Sequence, residues 1–254
     1  MAITIKSERE IELMAKAGKI LERVHNELEK ALRPGMSTKD IDTLGEEIIR
    51  SYGCIPSFLN YNGYPASICV SVNQEVVHGI PDKHRIIQEG DIVSLDAGVI
   101  YKGYHSDAAR THAVGEVSEE AKKLIQVTKE SFFEGIKFAK AGNHLFDISG
   151  AIGRYAEERG YGVVRDLCGH GIGTALHEAP EIPNYEVGRK GVRLRPGMTL
   201  AIEPMINIGT HEVDWLDDDW TVVTRDGSLS AHYENTILIT EGEPRILSLT
   251  CENE

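Results

Sequence analysis

The chain has 254 residues, of which 41% are hydrophobic and 26% charged, the balance of a soluble globular protein with material for a substantial core. No apolar run approaches the ~18–20 residues of a membrane span, and MAITIKSEREIELM carries acids where a secretory signal has a basic and an apolar segment. A net charge of −13 weighs against a DNA-binding surface, and four scattered cysteines (Cys54, Cys69, Cys168, Cys251) without a CxxC pair weigh against a zinc ribbon or disulfide framework and suit a reducing cytoplasm.

In chain order, Ser7-Glu-Arg-Glu10 forms a capping box. Ile11, Met14, Ala17, Leu21, Val24, Leu28 and Leu32 then recur at helical spacing until Pro34-Gly35 stops the helix. A second helix starts at Ser37 or Thr38, turns Ile41, Leu44 and Ile48 inward and ends at Gly53. An aromatic loop, PSFLNYNGYPAS, and short strands over 68–72 and 76–78 lead into DIVSLDAGVIYKGYHSDAARTHAV. That stretch reads as a β-hairpin over 91–101 and 104–114 with Lys102-Gly103 as a two-residue turn. If Tyr101 faces Tyr104, Asp107 falls opposite Gly98, and Asp96 and Asp107 become diagonal neighbours on one face, roughly 7–8 Å apart. Two such carboxylates on a half-buried face repel and call for something to neutralise them. Two surface acids on a solvated face are the alternative. The second half predicts a helix over 118–140 broken by Ala141-Gly142, a helix from Leu145 to Gly160, and strands over 163–167, 200–203 and 232–240.

The two halves repeat. Gly35, Asp40, Ile41, Gly53 and Gly90 recur as Gly142, Asp147, Ile148, Gly160 and Gly197, each 107 residues on. At that offset EGDIVSLD lies over PGMTLAIE and Asp96 over Glu203; past an extra stretch around 210–220, Asp107 lies over Glu234. This predicts a single catalytic domain over 1–254, an α/β chain with a pseudo-repeat of about 7–115 and 118–242. The halves share one curved, mainly antiparallel sheet and four carboxylates converge near the axis. Four such acids need cations. An imidazole added to them suits Mn, Fe, Co or Zn better than an all-oxygen calcium site. His170, between two glycines after an apolar strand, is the ligand candidate; His177 lies seven residues on and His78 precedes Gly79. Ordinary hydrogen-bonded histidines are the competing interpretation. Two ions ~3.5–4 Å apart can bridge a water, lower its pKa and polarise a carbonyl, which points to hydrolysis of an amide, ester or phosphate. There is no GxSxG, GxxxxGK[ST] or HExxH, and Cys69 and Cys168 suit buried thiols better than nucleophiles.

The words VVHGIP, SLDAG, HSDAART, GHGIG, LHEAP, IEPM and YENTI, in this order over nearly the whole chain, resemble the type I methionine aminopeptidases in their short bacterial form. The resemblance implies the pita-bread fold, two α/β halves about a pseudo-twofold with helices outside the sheet. It implies removal of the initiator methionine from nascent chains when the second residue is small, a metal-bridged water attacking the scissile carbonyl. Asp96, Asp107, His170, Glu203 and Glu234 then match the ligands of two divalent ions (Co, Mn, Fe or Zn), with Asp107 and Glu234 bridging, Asp96 on one ion and His170 with Glu203 on the other. The substrate amine sits at the ion held by Asp96. His177 matches the residue that hydrogen-bonds the scissile amide, His78 the one near the leaving amine, and Glu203 also moves protons. Tyr61, Tyr64, Cys69 and Trp220 match the methionine pocket, a polarizable wall for a thioether. The chain departs at Phe58, Leu176 and His232, where Cys, Phe and Gln are common, and this bears on pocket shape. Asn73, Glu75 and Ser230 match a site for Na or K. The resemblance further implies a cytoplasmic monomer working near the ribosome. The prolidase and aminopeptidase P branches usually carry a preceding domain, whereas here the pattern begins within ten residues of Met1.

Overall fold

The structure, a computed structural model, describes residues 3–249. Cys251 lies outside the described residues. Helices α1 (Glu8–Ala31) and α2 (Thr38–Ser51) lead into strands β1 (Ile55–Pro56), β2 (Ile68–Val72) and β3 (Glu75–Val77), with a 3-10 turn at Tyr61–Gly63 after β1. The long strands β4 (Ile92–Tyr101) and β5 (Tyr104–Ala113) close the first half. The second half opens with α3 (Glu119–Ile136) and α4 (Leu145–Glu157), then β6 (Gly162–Val163), β7 (Gly169–Gly171) and β8 (Glu178–Ile182). It continues through β9 (Thr199–Ile202), β10 (Met205–Asn207), β11 (Val213–Trp215) and β12 (Val222–Thr224). It ends with β13 (Ser230–His232), β14 (Asn235–Leu238) and β15 (Arg245–Ile246). All strand pairs among the described residues are antiparallel.

The helices form where the caps and periodicity place them. Glu10 accepts the Ser7 backbone N–H at 2.8 Å, and Ser37 and Asp40 cap α2 reciprocally. Met14, Ala17, Leu21, Val24 and Leu28 lie buried as α1 crosses β4 and β5. Helix α4 ends at Glu157 rather than Gly160, and two other boundaries differ more from the sequence expectation. Helix α3 stops at Ile136 rather than near 140, because Phe138 and Ala139 bond back three residues, to Gly135 and Ile136. The strand expected over 163–167 is only the two residues of β6.

The β4–β5 hairpin has the expected register. Tyr101 faces Tyr104, Gly98 faces Asp107 and Asp96 faces Ala109, without interruption to Ile92 and Ala113. Lys102 and Gly103 both have positive φ, 50° and 86°, the backbone that a tight two-residue turn between twisted strands requires.

Strand pairing repeats with the sequence: Ile55 and Pro56 pair with Ile100 and Val99, as Gly162 and Val163 pair with Asn207 and Ile206. The second hairpin is nevertheless not a copy of the first. The run over 232–240 is two strands rather than one, and its partner is broken after Ile202. Ile202 pairs with Asn235 and Met205 with His232, so Glu203 and Glu234 stand directly opposite each other in the break, whereas Asp96 and Asp107 are diagonal. The break exists because Tyr233 donates to Pro204 O while the Glu234 backbone turns to the other half: Glu234 N donates to Ala109 O at 3.0 Å and Ala109 N to Glu234 O at 3.4 Å.

That exchange joins the halves, and threonine hydroxyls extend it on both sides. Thr236 Oγ1 accepts from Asp107 N and donates to Asp107 O, both at 2.9 Å. Thr111 Oγ1 does the same with the backbone of His232. One core cluster lies between α1, α2 and the β2–β4 strands, and a second between α3, α4 and the β9–β14 strands. The extra stretch forms the β11–β12 hairpin, whose second strand pairs with β3.

Candidate active site

Asp96, Asp107, His170, Glu203 and Glu234 line one cavity of about 170 Å³, together with His78, His177 and the aromatic residues expected at the pocket. Hairpin β4–β5 delivers the two aspartates and the broken second hairpin the two glutamates. His170 sits within β7, not beyond the end of an apolar strand as expected, and pairs with Ala201 of β9. The flanking glycines are there because backbone is close: a Cβ on Gly169 would lie 2.4 Å from Ala201 O, and one on Gly171 would lie 2.2 Å from Ala179 O.

His170 Nδ1 donates to Gly171 O at 2.9 Å, which turns Nε2 toward the acids, 3.6 Å from Glu203 Oε1 and 3.8 Å from Asp107 Oδ2. Asp107, His170 and Glu234 each place a ligand atom within 4.8 Å of the other two. Asp96 Oδ1, Asp107 Oδ1 and Glu234 Oε1 are buried with no hydrogen-bond partner. Burial and mutual repulsion hold Asp96, Glu203 and Glu234 well above the usual carboxylate range, and burial pushes Asp107 up to about 7. Burial pushes His170 down to about 3. A neutral imidazole and carboxylates with lone pairs free are the donor set of a divalent transition metal, so these residues fit such an ion.

The remaining side chains form the walls. His78 follows β3 with φ 59°, a left-handed backbone that re-aims the chain, and its ring meets the Trp220 ring edge-on at 6.2 Å. His177 Nδ1 lies 2.7 Å from the Tyr61 hydroxyl, and its ring meets that of His170 edge-on at 4.2 Å. Burial lowers the pKa of both, His78 to about 4. Tyr64 donates to Gly79 O at 2.9 Å and contacts Trp220 edge-to-face at 5.1 Å, beside buried Cys69. Asp218 Oδ1 accepts the backbone N–H of Trp220 and Thr221, which fixes the loop carrying the indole. Cys168 is only half buried, and burial pushes its thiol up to about 11.

The profile of metallopeptidase family M24 matches residues 12–241. The methionine aminopeptidase of Clostridium acetobutylicum is 58% identical over 98% of this chain and 100% of its own length. Methionine aminopeptidase 1 of Bacillus subtilis is 51% identical over 94% of this chain and 96% of its own. The crystal structure of the methionine aminopeptidase from Thermotoga maritima superposes with a TM-score of 0.96 at 48% identity, covering 98% of this chain and all of that one. The chain belongs to the type I methionine aminopeptidases of family M24.

As in this family, the fold is the pita-bread arrangement of antiparallel sheet and outer helices. The chain's departures from the family pattern sit in informative places. Phe58 and Leu176 are buried walls of the cavity. His232 faces the acids too: its Nε2 lies 3.8 Å from Glu203 and 4.0 Å from Glu234, buried without a hydrogen-bond partner. Asn73, Glu75 and Ser230 come together, Ser230 N donating to Asn73 O and Val72 N to Glu75. Two residues went unread in the sequence. Asn62, at φ 49°, lines the cavity from the aromatic loop, where Asn62-Gly63 was a turn signal only. Arg110 is half-buried and donates to Glu234 O and to Asn235 Oδ1. Its place in HSDAART, three residues from Asp107, was the available clue.

Proposed function

We propose that the chain, as one catalytic unit, hydrolyses the bond after an N-terminal methionine of nascent polypeptides when the second residue is small. The observation that carries this is the set of buried, partnerless acid oxygens at one end of a cavity whose other wall is the Tyr64–Trp220 pair. Two divalent ions, drawn from Co, Mn, Fe and Zn, would be held by Asp107 and Glu234 jointly, Asp96 on one side, and His170 with Glu203 on the other. When bound, they polarise the scissile carbonyl and acidify a water.

The chain's own side chains do the rest. Tyr61, Tyr64, Cys69, Trp220, Phe58 and Leu176 enclose the thioether and exclude water. Asp96 lies at the end that takes the free α-amine, which limits cleavage to the first residue. With Tyr61 donating to Nδ1, the neutral His177 keeps its proton on Nε2 and offers it to the scissile carbonyl oxygen as charge develops there. His78 is placed near the leaving amine, and Glu203 carries a proton to it. An Na or K ion at Asn73, Glu75 and Ser230 would brace the rim. No helix among the described residues is long and apolar enough to cross a membrane. The chain works as a cytoplasmic monomer close to the ribosome.

The test is a peptide assay on metal-free protein with Mn, Fe, Co or Zn added back, using Met-Ala-Ser and a Xaa-Pro control. Methionine release from the first peptide alone is expected. Cleavage of only the Xaa-Pro peptide would make the chain a proline-directed enzyme, and no release with any metal would leave a binding protein.

A further inference from the structure

We infer that Lys6 and Glu178 are positioning residues for His177, a proposal that rests on the function just argued. His177 ends an irregular loop, 172–177, between β7 and β8. Its ring stands at the exposed rim of the cavity, so packing alone does not fix it. Glu178 is the next residue, and its carboxylate is forked. Oε1 turns back on the loop and accepts the Ala175 N–H at 3.3 Å. Oε2 accepts from Lys6 Nζ at 2.6 Å and from the Thr4 hydroxyl at 2.7 Å. The Lys6 and Glu178 side chains are 5% and 13% exposed, so this ion pair is desolvated, unlike the exposed pairs of the helices.

The segment that supplies Lys6 is itself anchored. Lys6 N donates to Gly197 O at 2.8 Å, in the turn before β9. The loop is tied elsewhere too: Ile172 N donates to Thr199 O at 3.2 Å, His177 Nδ1 meets the Tyr61 hydroxyl, and His105 N donates to Gly173 O at 2.8 Å, His105 lying on β5 two residues before Asp107. Space is tight around the fork: a Cβ on Gly173 would come within 2.5 Å of Glu178 Oε1 and of Lys6 Cε. The N-terminal segment therefore clamps the residue adjacent to His177 to the same strand system that carries the acids. None of these groups lines the cavity, so the brace acts on the reaction through the loop end that carries Leu176 and His177.

The test is a double-mutant cycle in the metal-loaded enzyme with a Met-Ala-Ser peptide. Lys6→Met is expected to lower kcat by about tenfold to hundredfold, the cost of misplacing a catalytic group by about an ångström, with KM nearly unchanged. Mn(II) affinity by calorimetry should stay at the wild-type value. In a His177→Ala background the same Lys6→Met change should cost less than about twofold, since the group being positioned is gone. Lys6→Arg should recover most of the rate. Glu178→Gln carries the same cycle if Lys6→Met does not fold. An equal loss in both backgrounds, or weakened Mn(II) binding, overturns the brace as a positioning device. If wild-type protein releases no methionine, the functional reading fails instead.

Discussion

At the scale of single residues, the acids were legible because a two-residue turn leaves strand parity no freedom. Once Tyr101 faces Tyr104, Asp96 and Asp107 must share a face. Which acid bridges and which is terminal has no such signature and came from the family resemblance. The bridging assignment predicts that Asp107→Ala or Glu234→Ala abolishes turnover by losing metal, seen as an absent Mn(II) binding isotherm. His177→Ala should bind metal normally while kcat falls about 10²–10³-fold, the scale of losing one donor to a developing oxyanion. Wild-type activity in Asp107→Ala would sink the assignment. His232 was readable only as a departure from a pattern. That its Nε2 faces Glu203 and Glu234 depends on the break between β13 and β14, which no local propensity announces. Arg110 has no signature of its own in the sequence, because an arginine near an acid is usually at the surface and its bonds to Glu234 O and Asn235 Oδ1 cross the seam.

At the scale of elements, long periodic segments were readable and short ones were not. Helices α1 and α2 came with caps, apolar stripes and stop signals. Strand β7 is a Gly-His-Gly triplet with no β propensity, which exists only because β9 and β8 flank it. The strand expected over 232–240 hid a break whose cause, the exchange with Ala109, lies in the other half. The β4–β5 turn permits a clean prediction. Gly103 has φ 86°, and a Cβ there would meet nothing within 4 Å. Gly103→Ala should therefore cost about 1–2 kcal/mol by backbone strain alone, read as a lower urea midpoint with unchanged slope. Peptidase activity of the folded fraction should stay at wild type, because neither Lys102 nor Gly103 lines the cavity.

At the scale of the whole molecule, the offset of 107 residues foretold that both halves supply acids, but not the different register of the second hairpin. The consequence of gathering four buried carboxylates is a pH dependence. Their pKa values are raised in the metal-free fold, Asp107 to about 7, against about 4 for an unfolded carboxyl. Between those values the native state holds more protons than the unfolded state, so metal-free stability falls as pH rises through about 4 to 7. Metal binding needs the ionised carboxylates and should strengthen over the same range. Thermal melts with and without Mn(II) should diverge from about pH 5 to pH 8, and calorimetry should register proton release on binding. A gap that narrows with rising pH would contradict the raised carboxylates.

The seam between the halves has a further consequence when viewed as an association between two pieces. The buried residues of one core cluster all lie within 17–114 and those of another within 132–239, further clusters draw on both halves, and the acids are split evenly between the halves. A chain cut in the connection before α3 would leave two fragments, each with apolar packing of its own and each with half a centre. Without a divalent ion the like charges oppose their reunion; with one, the same charges draw the fragments together. Complementation of the cut chain should therefore be switched by the ion and reversed by a chelator. The centre that does the chemistry would then be, in the same stroke, the fastener that decides whether the molecule is one body or two.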